Sequence, residues 1–416
     1  MLMDTFMPYR TAFLQIQAKA SWDHYNAIGY PSSKDEEWRF SNLNPWLLSN
    51  SIINDKKIIL PINFSSYDII DNAIPIIIYD NNISIPENLP DGIEIFDMHQ
   101  AEEKKILNGS IGSVEDYHSS VFSAENMALF SNGILIYVHD GVKINKPIQI
   151  IHDISHNENS KFYPRIYLNM GVNSHAEIFE TEISNDDNQH YVNSVVEVVM
   201  HENSNLDWAL LQNLNFNIGH ISSFNLALEK NAEIKYNFYD YGGGFIRRNI
   251  DVNFYDPGSS LNVNGLFLLS KKQHVDIFSK INHKSSECHS NQLVKGVLSD
   301  SASGVFKGLA HVENQAKKTN AKQANHNLLL SPNAKINSIP ILEIYEDDVQ
   351  CAHGSTTGQI DEEAIFYLQS RGLNRNDAIE LIVRGFTEEI INKINNANFK
   401  NMVKNIMIEK MNTVIY

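Results

Sequence analysis

The apolar residues of this chain change rhythm twice. From Tyr9 to Ile28 they recur at helical spacing, until Pro31-Ser32-Ser33 breaks the pattern ahead of Trp38 and Trp46. Short apolar runs follow at Lys57 to Ile62 and Ile76 to Tyr79, separated by polar breaks. Residues 1–130 therefore read as a mixed helical and strand region of low regularity. Across 131–358 helical spacing almost vanishes, and short β-prone runs take over, such as Gly133-Ile134-Leu135-Ile136-Tyr137-Val138 and Ser194-Val195-Val196-Glu197-Val198-Val199-Met200. Residues 359–416 return to helix.

Between the strand-like runs a turn phrase recurs: a small or amide residue, a polar pair, then a strand. It appears at Asn173-Ser174-His175-Ala176, Asn203-Ser204-Asn205-Leu206, Asn231-Ala232-Glu233-Ile234, Gly258-Ser259-Ser260-Leu261 and Asn333-Ala334-Lys335-Ile336. Across the first four copies the spacing is roughly 27 to 30 residues, that of a solenoid whose coils carry two or three short strands each. A wide parallel β-helix is the predicted core, with an antiparallel sandwich as its rival. The asparagines favour the solenoid, because Asn tolerates left-handed backbone at tight corners and its amide can bond to the next coil.

In the tail, Asp361 caps a predicted helix that opens with Glu362 and Glu363 and ends at Arg371-Gly372. A second helix is predicted from Asn374 to Arg384, and a third opening at Thr387 with Ile390, Ile391 and Ile394. An amphipathic tail of this kind can cap the open coil or offer an apolar face to another subunit.

Composition narrows the partners. With 33 basic and 50 acidic residues the net charge is -17, which repels nucleic-acid phosphates and anionic lipid. Neither nucleic acid nor a membrane is an expected partner: no apolar run approaches the roughly 20 residues that cross a bilayer. The first residues lack a basic stretch followed by a long apolar one, so a cytoplasmic location is expected. Only Cys288 and Cys351 occur, too few for a disulfide framework or a four-thiolate site.

The sharpest chemical feature is Val349-Gln350-Cys351-Ala352-His353. A strand sends alternate residues to opposite faces, so Cys351 and His353 share one, and a thiolate with an imidazole can ligate iron. Two ligands do not complete a cluster, so the others would come from a partner, labile thiols or carboxylates such as Asp347 and Asp348. The plainer reading is a small buried cysteine and a hydrogen-bonded core histidine. Cys288 and His289 are adjacent and face opposite ways on a strand, which argues against a shared ligand role. Gly242-Gly243-Gly244 lacks a following helix and reads as a turn rather than a phosphate loop.

From Phe306 to Phe386 the chain resembles the SufB/SufD family of the Suf iron-sulfur assembly system, on its SufD side. The resemblance is carried by Phe306-Lys307-Gly308, Ala316-Lys317-Lys318-Thr319-Asn320-Ala321, Asn327-Leu328-Leu329-Leu330-Ser331, Pro340-Ile341-Leu342-Glu343-Ile344, Asp347 to Gly358, Phe366 to Gly372 and Arg384-Gly385-Phe386. Glu36-Glu37-Trp38-Arg39-Phe40 is also similar to the start of SufD-type chains. The resemblance implies a mainly β protein with a right-handed parallel β-helix core between helical ends. It implies a heterodimer with a SufB-like subunit, or a homodimer in isolation, and a SufC-like ATPase docked on the C-terminal helices. It further implies a scaffold without catalysis of its own and a transient iron-sulfur cluster shared with SufB through His353, accompanied by Cys351. A flavin in the complex finds no support in the residues. Asn325 stands where SufB members carry a cysteine, and Gly354 where they carry an acid, which leaves the main thiolate to the partner. Two alternatives stay open: a cytosolic carbohydrate-acting β-helix enzyme, and a purely structural partner subunit in which residues 351 to 353 only pack at a seam.

Overall fold

A computed structural model describes residues 12–47, 52–53, 64–79, 82–107, 109–130 and 133–415. The predicted run at Lys57 to Ile62 and the first residues of the Tyr9 helix pattern lie outside them. The N-terminal region comprises α1 (Ala12–Ile28), β1 (Ile52–Ile53), β2 (Ile74–Tyr79), β3 (Asn82–Ser84), β4 (Ile93–Asp97), α2 (Met98–Glu103) and α3 (Val121–Leu129). The coils follow as β5 (Gly133–Val138), β6 (Ile148–Asp153), β7 (Ser160–Phe162), β8 (Arg165–Met170), β9 (His175–Ile183), β10 (His190–Met200), β11 (Asn205–Asn213) and β12 (Ile218–Leu228). They continue through β13 (Glu233–Asp240), β14 (Phe245–Phe254), β15 (Ser260–Leu269), β16 (His274–His283), β17 (His289–Leu298), β18 (Ser303–Val312), β19 (Asn320–Leu329), β20 (Lys335–Ile344) and β21 (Gln350–Gln359). Helices α4 (Glu362–Ser370), α5 (Arg375–Ile391) and α6 (Ala397–Ile415) complete the chain.

Strands alternate between two walls. One wall runs β5-β8-β10-β12-β14-β16-β18-β20, the other β6-β9-β11-β13-β15-β17-β19-β21, and within each wall neighbours pair in parallel. The result is a mainly β parallel solenoid of about 8 turns with helices at both ends, so the antiparallel sandwich is excluded. The corner asparagines act as the turn phrases imply. Asn173, Asn203 and Asn231 sit at φ 57°, 58° and 56°. The Asn203 amide donates to Asn173 Oδ1 at 3.2 Å and that of Asn231 to Asn203 Oδ1 at 3.1 Å. The column then passes to Gly258 at φ 84°, where a Cβ would stand 2.2 Å from Asn231 Oδ1.

Because the strand period is two, alternate residues of each strand turn into the lumen and pack as one apolar column, including Ile178, Trp208, Phe238, Val263 and Phe306. The outer face of the first wall is covered by α1, α3 and the segment around Trp38, which bury Leu14, Trp38 and Phe122 against Tyr191 and Phe245. Arg165 anchors this cover from beneath, 2.7 Å from Glu197 and 2.8 Å from Asn126, with Glu115 at 3.4 Å, all buried. The Gly242-Gly243-Gly244 turn admits Trp46, whose ring a Cβ on Gly244 would meet at 2.2 Å.

The tail settles one open alternative and departs from one expectation. It does not cap the last coil: α5 and α6 run over the outside of the second wall, burying Val383, Ile390, Phe399 and Met407 against Phe179, Leu211, Tyr239 and Leu266. The predicted break before Thr387 is absent, since α5 is continuous and Thr387 Oγ1 donates to the Val383 carbonyl at 2.9 Å instead of capping a new helix. The first tail helix behaves as predicted: Asp361 accepts from the Glu363 amide at 2.9 Å, and Gly372 leaves at φ 97°.

Candidate functional site

The two ends of the solenoid are built differently. At the first coil, β4 adds to β5 and β3 to β2, both antiparallel, which ends the parallel stacking. At the last coil, β20 and β21 each pair on one side only among the described residues. Their other edges present backbone N–H and C=O groups that want partners.

Cys351 and His353 lie on β21, in register with Ala321 and Gln323 of β19. Since Ala321 and Gln323 are buried and turned into the lumen, Cys351 and His353 share the lumen-facing side of the last strand. Cys351 is half-buried and His353 exposed, so His353 is not a packed core histidine in this chain. Burial pushes the Cys351 thiol up, with a contact to the Ala321 backbone working against it. Asp347 and Asp348 are exposed in the turn that precedes the strand. Glu346 is the carboxylate engaged there, held below its usual range by the Asp348, Gln315 and Asp347 amides. Among the described residues no three His, Cys, Asp or Glu side chains converge as a metal site.

Asn325 faces the lumen one coil in, fully buried, donating to the Val294 carbonyl at 3.1 Å and paired with Asn327. Gly354 is exposed, and a Cβ built there meets nothing within 4 Å. Cys288 is buried at a corner, its thiol donating to the Asp256 and Ser286 carbonyls, while His289 is exposed on the other side. Burial raises the Cys288 thiol, which makes it a poor nucleophile.

The sequence reading missed a polar string in the lumen. His152 stands 3.0 Å from Glu180, which accepts from the Trp208 indole at 3.0 Å. His220 lies 3.4 Å from Glu182 and 3.0 Å from Ser194, and Arg248 forms a buried pair with Asp240. Burial drives Glu182 up and His220 down, disfavouring the charged form of each. The signal was present in the alternation: Ile148-x-Ile150-x-His152 and Ile178-x-Glu180-x-Glu182 put polar groups at positions that otherwise read as core. A separate groove of about 660 Å³ opens between the Trp38 segment and the first wall, lined by Glu37, Ser119, Arg247, Asp251 and Lys280 and remote from β21.

Comparison with known proteins agrees with this architecture. The family described as "SUF system FeS cluster assembly, SufBD core domain" matches residues 153–386, and the "SufBD protein N-terminal region" matches residues 8–150. The chain belongs to the SufBD family. Within that family, the chain is 28% identical over 390 residues to the iron-sulfur cluster assembly protein SufD of Escherichia coli, covering 93% of this chain and 90% of that one. It is also 28% identical to the chloroplastic protein ABCI7 of Arabidopsis thaliana, over 90% and 82% of the two chains. A SufBD family protein of Synechocystis is 26% identical over 89% and 85%. SufBD membership sets aside the carbohydrate enzyme and makes this an iron-sulfur cluster assembly protein of the SufD type. Among the described residues no helix is long and apolar enough to cross a membrane.

Proposed function

We propose that this chain is a non-catalytic scaffold subunit of a cytoplasmic Suf complex, pairing with a SufB-like subunit through its last coil and sharing a nascent iron-sulfur cluster there as cargo. The observation that carries this reading is that β20 and β21 keep unpaired edges on the coil where Cys351 and His353 share the lumen-facing side. A second chain laid edge to edge would satisfy those backbone groups and bring the missing ligands to His353. His353 supplies the accessible nitrogen, and Cys351, half-buried with a raised thiol, accompanies it. A SufC-like ATPase docks on the C-terminal helices, a reading supported by Phe366, Tyr367 and Leu381, which are 73%, 57% and 50% exposed.

The test is co-expression with SufB-like and SufC-like partners. Co-purification is expected, with SufC-like binding abolished by Phe366→Asp with Leu381→Asp, and cluster absorbance on the complex lost in His353→Ala. Cluster formation that survives His353→Ala removes His353 from the site and leaves the chain a structural partner.

A further inference from the structure

Gln323 sits beneath His353 on the neighbouring strand, in direct register with it and 5% exposed. Its amide nitrogen donates to the Ile341 carbonyl at 3.0 Å, which fixes the other end of the group as the carbonyl. That carbonyl, Oε1, is buried and has no hydrogen-bond partner among the described residues. A buried acceptor left unpaired is destabilising, so its retention calls for a donor.

The lumen makes room for this carbonyl. Gly308 faces Gln323 across the coil, and a Cβ added at Gly308 would come within 2.3 Å of Oε1. One coil deeper, the same column holds Gln292, whose amide is satisfied by Ser279 at 2.8 and 3.1 Å. The two glutamines are thus equivalent in the stack and differ in one respect. Gln292 has a serine opposite it, whereas Gln323 has Gly308 opposite and only the imidazole of His353 beside it in register on the open side.

We infer that Gln323 is a positioning residue for His353: its side-chain carbonyl accepts one imidazole N–H and turns the other ring nitrogen, with its lone pair, toward the cargo at the coil rim. Adjacent strands lie about 4.8 Å apart, within reach of a glutamine side chain and a ring on the same face. A histidine that ligates a metal almost always donates its second N–H to a carbonyl or carboxylate, which sets the tautomer and aims the free nitrogen. The inference rests on the reading of His353 as a cargo ligand and adds the residue that orients it. Ser338 Oγ, an unpartnered buried atom of the last coil, is on the opposite wall and serves as the control position.

The test uses the full chain without metal, with isotope-labelled histidine and two-bond N–H correlation NMR at a pH where the ring is neutral. The His353 signals are assigned by their loss in His353→Ala. A single tautomer is expected in the native chain and in Gln323→Glu and Ser338→Ala. A solvent-averaged mixture is expected in Gln323→Met, and in Gly308→Ala, which displaces the carbonyl without altering either partner. A mixture already present in the native chain, or a single tautomer that persists in Gln323→Met at an unchanged unfolding midpoint, overturns the inference. If Gln323→Met does not fold, Gly308→Ala decides by the same criterion. On the co-purified complex, cobalt(II) binding should weaken about 10–100-fold in Gln323→Met. Unchanged cobalt binding in His353→Ala would sink the ligand reading, while the tautomer comparison still judges Gln323 on its own.

Discussion

β8 and β20 are both apolar strands of the same wall, yet one is interior and the other is surface. In β8, Arg165–Met170, all residues but Asn169 are buried. In β20, Ile336, Ile339, Ile341, Leu342 and Ile344 are as apolar as anything in the first coils, and no residue of the strand is buried. The difference is stacking position. β8 lies between β5 and β10 under α3, while β20 pairs with β18 alone among the described residues. An apolar edge strand left bare is a hazard in a protein that works by itself and a natural interface in one that works with another. The closed end spends its apolar side chains on internal stability, and the open end keeps them for association.

Four measurements test that contrast. The largest effect belongs to the covered end: Arg165→Met strands Glu197 and Glu115 in the interior and should cost about 3–5 kcal/mol in denaturant unfolding. A loss below about 1 kcal/mol would mean the cover is not anchored there.

Next comes the lumen of the later coils, read through pH. Burial lowers His283 to about 3, so the folded chain keeps it neutral where the unfolded chain, near 6.5, takes up a proton. Its contribution is complete above about pH 6.5 and is lost as pH falls toward 3. At pH 5 this amounts to about 2 kcal/mol, and His283→Gln should flatten that part of the stability profile. An unaltered profile would place the acid sensitivity elsewhere.

A smaller effect is expected at the corner. Asn203→Ala puts a side chain without asparagine's tolerance of left-handed backbone at φ 58° and removes a rung of the amide ladder, costing about 1–2 kcal/mol by thermal unfolding, whereas Asn203→Gly should cost less.

The smallest stability effect belongs to the open end. Ser355 is exposed on β21, and Ser355→Lys should change stability by no more than about 0.5 kcal/mol while preventing co-purification with a SufB-like partner. Retained association, with a lysine set into the edge, would break the contrast between the two ends.

Much of the fold was legible in single residues. Asn173, Asn203 and Asn231 announced corners because few other side chains tolerate positive φ, and that constraint is local. Strand alternation put Cys351 and His353 on one face for the same reason, and the register with Ala321 and Gln323 bears this out. Thr387 misled, because a hydroxyl that caps a helix in one context back-bonds to a carbonyl in another, and only the run of α5 distinguishes them. Glu180, Glu182 and His220 were invisible as a group, since they come from β9 and β12 and meet only across the lumen.

The coil, its corners, the face shared by Cys351 and His353, and the family are all written in the chain's local patterns, because turn chemistry and strand period act within a few residues and repeat. The assembled solenoid set the tail along the second wall instead of over the last coil. It likewise decided that Gln323 lies beside His353 with a carbonyl to spare. Those outcomes depend on residues far apart in the chain being stacked by the solenoid, and no local pattern encodes which neighbour a coil will leave uncovered.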